Sequence, residues 1–208
     1  MTATDLAGSF GGTYGGKRAM DLVLLILTAP VTVPLLALVA LLVRLDSPGP
    51  VIFTQYRTGL HGRRFRMFKF RTMVENAEEL KASLAHLNIL PPPDFKIIDD
   101  PRITRVGKFL RKTSLDELPQ LLNVLRGEMT LVGPRPTSFA AHTYRLWHTE
   151  RLELRPGLTG LWQIKARGDS TFDERLRLDI EYLDRASVLL DLQILLMTAL
   201  AVVKRSGA

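Results

Sequence analysis

No cysteine occurs among the 208 residues. Disulfides and thiolate metal centres are thereby excluded, and a reducing compartment suits the chain. Histidine is nearly as scarce: the four, His61, His86, His142 and His148, stand at no metal-ligand spacing. There is no Gly-rich phosphate loop of the Walker or dinucleotide kind, and no nucleophile elbow surrounds a serine. No internal period recurs, which argues against a repeat architecture. Acids are missing in two places. Between Ser47 and Val74 there is none against six bases, Arg57, Arg63, Arg64, Arg66, Lys69 and Arg71; from Arg102 to Ser114 none accompanies Arg102, Arg105, Lys108, Arg111 and Lys112. With 28 Lys+Arg against 21 Asp+Glu the chain carries +7. That balance implies an acidic partner: a phosphate-bearing substrate, an anionic lipid surface or nucleic acid.

What is present begins with a Gly-, Ser- and Thr-rich stretch, residues 1–16, read as a disordered tail without the order of a secretory signal. Residues 17–45 form a membrane segment. From Leu22 to Val43 no charge interrupts 22 residues, and at about 1.5 Å per residue a helix of that length crosses a bilayer. Pro30 and Pro34 fall inside it, and a proline removes an N–H and clashes with the carbonyl one turn back. The expected division is into Leu22–Ala29 and a longer arm ending near Val43. A kinked spanning helix and a re-entrant hairpin both remain open, although Lys17 and Arg18 before the segment and Arg44 after it favour both ends on the cytoplasmic side.

Residues 46–208 read as a folded domain of mixed elements with interfacial helices. "VIFTQYRTGLHGRRFRMFKF" predicts two β-runs about a Gly-containing turn, a β-hairpin. Residues 74–87 look helical and polar, and 89–101, with Pro91–Pro93, is a loop. Residues 104–112 predict a short helix with Val106, Phe109 and Leu110 on one face and bases on another, fitting a membrane interface or a soluble surface equally. The helix after Ser114 is expected to bury Leu118, Leu121, Leu122 and Leu125 and to stop at Gly127. Near the end, "VLLDLQILLMTALAVVKR" predicts an apolar helix of about 16 residues, interfacial or core, closed by Lys204 and Arg205.

The chemistry concentrates in "TSLDELPQLLNVLRGEMTLVGPRP", residues 113–136. Pro119 must sit in the first helical turn, so Asp116 and Glu117 lie at the helix's positive end. Taken alone, they fit acids favoured there by the macrodipole. A carboxylate can also attack phosphorus, provided cations neutralise the phosphates it approaches. Arg111, five residues before Asp116, and Arg135, between Pro134 and Pro136, are the nearest in sequence. Mg²⁺ is the plausible bridge between carboxylate and diphosphate.

These blocks, with "KRAMD", "GPVIFTQYRTGLHGRRFRMFKFRTM", "RPGLTGLWQI" and "LDIEYL", resemble in content and order the bacterial sugar transferases, monotopic phosphoglycosyl transferases. The resemblance covers nearly everything after residue 16. It implies an α+β, mostly helical fold: a re-entrant, Pro-broken membrane helix hairpin, interfacial helices and a small cytoplasmic domain. It implies transfer of a sugar-1-phosphate from a UDP-sugar to polyprenyl phosphate at the cytoplasmic face of the bacterial inner membrane, releasing UMP and initiating lipid-linked glycan synthesis. Asp116 would be the nucleophile that holds a phosphosugar. Glu117 would help to hold Mg²⁺, with Asp179 of "LDIEYL" a weaker ligand, its alternative being a surface acid. Arg135 of the Pro-Arg-Pro motif would face phosphate. Lys17, Arg18 and Asp21 match the family's basic-acidic start of the hairpin.

Two positions depart from the family. Ala29 replaces the usual Ser before the hairpin's proline, leaving the bend to Pro30 and Pro34. Lys165, Ala166 and Arg167 replace a Gly-Arg pair; Arg167 is kept as a nucleotide contact. Without the long N-terminal membrane domain of larger relatives, the chain reads as the minimal catalytic form. A homodimer is compatible, and the sugar is undetermined. One rival is a membrane-tethered basic module that binds anionic lipid or nucleic acid through residues 57–71. It explains the charge and the anchor but not the dyad, so no nucleic-acid partner is expected. Another, a hydrolase of lipid diphosphates, would use the same carboxylates with water as acceptor.

Overall fold

The structure, a computed structural model, describes residues 14–89, 95, 97–140, 146–165 and 171–203. Among them the chain is a mostly helical α+β protein with two small sheets. Helix α1, Lys17–Asp46, takes in the whole apolar segment. Strands β1 (Ile52–Thr58) and β2 (Arg64–Phe70) form the expected antiparallel hairpin, with Tyr56 opposite Arg66. The polar stretch 74–87 is less helical than its composition suggests: it yields α2, Glu79–Ser83, and one 3₁₀ turn, Ala85–Leu87. Helix α3, Arg105–Thr113, is capped by Thr104, whose hydroxyl accepts from Gly107 N at 3.0 Å. A 3₁₀ turn, Leu115–Glu117, leads to α4, Gln120–Leu125. Strands β3 (Thr130–Val132) and β4 (Gly157–Thr159) pair in parallel. Helices α5 (Leu161–Lys165), α6 (Phe172–Arg185) and α7 (Val188–Val203) complete the fold.

Helix α1 runs without a helical break through Pro30 and Pro34, where two separate arms were expected. Ala29 offers no hydroxyl, but its neighbours do. Thr28 Oγ1 donates to Leu24 O at 2.7 Å and Thr32 Oγ1 to Thr28 O at 3.1 Å, bonds to the preceding turn of a kind that bends helices. The two ends of α1 pack into two separate core clusters. Leu22, Leu24 and Leu25 join Phe65, Met67, Val124, Leu131 and Ile194. Val39 and Val43 join Phe70 and Leu110. The middle stays outside, with Ile26 and Leu27 69% and Val31 71% exposed. By length and composition α1 could cross a bilayer.

Buried polar groups pin the N-terminal end of α1. Lys17 pairs with Asp191 of α7 and donates to Tyr182 Oη at 3.0 Å, while Asp191 accepts from Tyr182 at 2.6 Å and from Tyr14 at 2.7 Å. Asp21 accepts from Thr130 Oγ1 at 2.5 Å and from Leu131 N at 3.3 Å, which ties α1 to β3. Arg18 donates to Val124 O and Leu125 O, at 2.5 and 2.9 Å, at the end of α4, where Val124 O also accepts from Gly127 N at 3.0 Å. At the other end the Asp46 carboxylate accepts from Val106 N at 3.1 Å, a favourable place for an anion at the start of α3.

Candidate active site

A cleft of about 1030 Å³ opens between the hairpin, α3, the 3₁₀ turn and α5–α6, large enough for a nucleotide-sized ligand. Its position follows from close packing. A Cβ at Gly107 would collide with the Thr72 carbonyl, so only glycine lets α3 approach the segment after β2 this closely. That approach puts Arg111 Nε 2.9 Å from Thr72 Oγ1, with the guanidinium lining the cleft. Ser114 then takes a left-handed conformation, φ 57°, a costly one for a residue with a Cβ. The chain reverses there, and both Asp116 and Glu117 line the cleft.

The two acids differ sharply in surroundings. Glu117 Oε1 accepts from Lys69 Nζ at 2.8 Å and from Arg135 Nη2 at 2.6 Å, and Oε2 from Nη1 at 3.3 Å. Burial alone would raise its pKa, but Arg135 and Lys69 overrule burial and hold the carboxyl far below the ordinary range. Asp116 is buried, and its nearest cation is Lys69 Nζ at 3.9 Å. Burial pushes its carboxyl above the ordinary Asp value; Lys69 pulls down, Glu117 pushes up, and Arg111 and Arg135 pull down more weakly. Glu117 is thus committed to cations, while Asp116 keeps its oxygens available.

Arg135 reaches this site from a turn framed by buried Pro134 and Pro136. Pro134 O accepts from Gly157 N at 2.8 Å, which fastens the turn to β4. Asp179 does not line the cleft: it lies buried in α6, its Oδ2 2.6 Å from Arg151 Nη2. Burial raises its carboxyl to about 6 against the pull of Arg151. Lys17, Arg18, Asp21, Pro30 and Pro34 belong to α1 and its anchorage, and Arg167 lies outside the described residues. No cluster of three or more His, Asp or Glu able to hold a metal occurs among the described residues. Of the dyad only Asp116 keeps its oxygens open toward a Mg²⁺, an ion that commonly takes one or two carboxylates with substrate phosphates and water, whereas both Glu117 oxygens are taken by Lys69 and Arg135.

Lys69 was counted among the bases of the hairpin but not assigned to the site; its strand position, opposite Phe53, carried no signal of the distant dyad. Arg151 was missed altogether, and Asp191 was read as an interruption of an apolar helix. The helix after Ser114 needs a correction. Leu122 and Leu125 are exposed, whereas Gln120 and Asn123 are buried. Asn123 earns its place by bonding β2: Oδ1 accepts from Phe68 N at 3.1 Å, and Nδ2 donates to Arg66 O at 2.7 Å. Phe109 is likewise exposed while Leu110 of the same helix is fully buried.

Comparison with known proteins agrees with this architecture. The sequence description of the bacterial sugar transferase family matches residues 13–205, and the chain belongs to that family. It is 48% identical over 162 residues to the galactosyl transferase CpsE of Streptococcus agalactiae, covering 77% of this chain and 36% of that protein. It is 44% identical over 197 residues to the undecaprenyl-phosphate galactose phosphotransferase of Salmonella typhimurium, covering 92% and 41%. The exopolysaccharide production protein ExoY of Sinorhizobium fredii is 40% identical over 204 residues, covering 92% and 87%. The chain therefore spans well under half of the first two relatives and most of the third.

Proposed function

We propose that this protein transfers a sugar-1-phosphate from a UDP-sugar to polyprenyl phosphate, undecaprenyl phosphate in bacteria, and releases UMP. The observation that carries the reading is Asp116: a buried carboxylate whose nearest cation, Lys69, stands 3.9 Å away, beside a Glu117 held ionised by Lys69 and Arg135. An Asp116 oxygen attacks the sugar-bearing phosphorus, and the bond from that phosphorus to the bridging oxygen breaks, so UMP leaves with the electron pair. A polyprenyl phosphate oxygen then attacks the same phosphorus and returns Asp116 as carboxylate. Lys69, Arg111 and Arg135 spread cationic charge around the phosphates. Mg²⁺ would be held by Asp116 and, were Glu117 to release Lys69 or Arg135, by Glu117 as well, and it would supply further neutralising charge to the diphosphate. The Salmonella relative's name, an undecaprenyl-phosphate galactose phosphotransferase, supports the acceptor and the reaction class.

The membrane arrangement belongs to the same reading. Helix α1 enters as a re-entrant hairpin from the cytoplasmic face. Support comes from both ends packing against the folded domain, from its exposed apolar middle, and from bases at both ends. A site at the interface then meets a soluble donor and a lipid-borne acceptor.

The test is UMP release by the full chain in nanodiscs, with Mg²⁺ and polyprenyl phosphate, across a panel of UDP-sugars, together with intact-protein mass spectrometry. Wild-type protein should gain a phosphosugar on incubation with the donor alone, and Asp116→Asn should gain none. An adduct of equal yield on the variant removes Asp116 from the role.

A further inference from the structure

We infer that Arg151 and Asp179 are positioning residues for the transfer, holding the main chain of Arg135 so that its guanidinium meets Glu117; the inference rests on the function proposed above. The turn is fastened on either side of Arg135, at Pro134 O by Gly157 N (2.8 Å) and at Thr137 O by Thr58 N (2.9 Å), which leaves Arg135 itself between the two anchors. Its two neighbours are prolines, so neither donates a main-chain hydrogen bond. Its carbonyl accepts from Arg151 Nη2 at 2.5 Å. The same Nη2 lies 2.6 Å from Asp179 Oδ2, which aims the arginine. On the far side, Arg135 grips Glu117 at 2.6 and 3.3 Å. An unbroken line of contacts therefore joins Asp179 in α6, Arg151 in the segment Leu146–Glu153, Arg135 in the Pro-Arg-Pro turn and Glu117 in the dyad.

Two further points separate this from a merely structural ion pair. The side chains of Arg151 and Asp179 are 5% and 2% exposed, and a pair so buried contributes little net stability, since apolar residues of like volume often serve as well. Neither residue lines the cleft, so any effect on transfer passes through what they hold. What they hold is the one carbonyl of the Pro-Arg-Pro turn that follows the guanidinium's own Cα.

A kinetic cycle with an independent structural measurement tests this. Arg151→Met and Asp179→Asn are made in the full chain, alone and with Arg135→Lys, and kcat/KM is measured with the UDP-sugar that wild type uses. Arg151→Met should lower kcat/KM about 100-fold and Asp179→Asn about 10-fold, the scale of a displaced contact of an ångström or less. Within Arg135→Lys the same changes should cost less than about threefold, because the positioned fork is gone. Losses that add fully in both backgrounds overturn the inference. If Arg151→Met does not accumulate, Arg151→Lys is read the same way, since lysine keeps the charge but its ammonium sits one bond short of the place where Nη2 meets both carboxylate and carbonyl. The structure of Asp179→Asn or Arg151→Lys should show the Arg135–Glu117 contact lengthened or lost, and its retention at the wild-type distance also overturns the inference. Wild-type silence with every UDP-sugar would instead count against the proposed function, and the structural measurement would still decide the relay.

Discussion

Asp116 and Glu117 are adjacent in sequence yet are driven in opposite directions, and that divergence has a pH signature. In the proposed reaction Asp116 attacks only as a carboxylate, and burial raises the pH at which it ionises. The acid limb of kcat/KM should therefore lie above the ordinary Asp value. Lys69 lowers this pKa and Glu117 raises it, so Lys69→Met should move the limb up and Glu117→Gln should move it down. A limb that shifts the same way in both variants would mean that another group titrates there. Distant from the cleft, Asp191 is fully buried and receives Lys17, Tyr14 and Tyr182. Asp191→Asn leaves the Lys17 ammonium buried without a counter-charge, a loss of about 3–5 kcal/mol. Thermal unfolding in detergent should start well below wild type, and an unchanged midpoint would show that Lys17 finds another partner.

Among the elements, those with a clear apolar period or a turn signal could be read from the sequence. The hairpin, α3 and α7 stand where the pattern put them, α7 with 16 residues. The parallel pair β3–β4 could not be read, because strands of three residues separated by more than twenty carry no periodicity of their own. Leu122 and Leu125 were assigned inward on the rule that apolar faces seek a core; that rule loses its force where the outside of the protein is itself apolar. The dyad and Arg135 were visible as a motif, whereas Lys69 and Arg151 depend on contacts across 48 and 16 residues. Helix α1 carries the element-scale prediction. Straight, its 30 residues would extend about 45 Å, more than the roughly 30 Å thickness of a bilayer's hydrocarbon core, so a bend at the prolines is what would bring the second end back to the side of the first. Replacing Pro30 and Pro34 by alanine should release one end. The chain has no cysteine, so a single cysteine near residue 17 or residue 46 reports the side of the membrane without background. Labelling from the same side as in wild type at both positions would show that the prolines do not set the path.

For the whole molecule, exposed apolar side chains gather on α1 and α7, including Leu189, Leu192, Leu196, Met197 and Leu200 of α7. A cluster of exposed apolar side chains of this kind marks an interaction or membrane surface. Carbonate at high pH should leave the protein in the membrane pellet, and Leu192→Lys with Leu196→Lys should weaken retention; full release of the wild-type chain would deny an apolar attachment. High salt alone should not extract it, because screening weakens charge contacts and not apolar burial.

The first helix is locked by the last: Lys17 meets Asp191 across 174 residues. At a ribosomal pace of about 5–20 residues per second, the interval between their synthesis is on the order of 10–30 seconds. For that time Lys17 has no Asp191, and Tyr14 lacks the same acceptor. The newborn membrane segment must therefore wait, attended by the insertion machinery or by lipid alone, before the chain can close. Nascent chains stalled before residue 191 should be cut readily by protease between α1 and β1, and chains stalled long enough for α7 to emerge from the ribosome should resist.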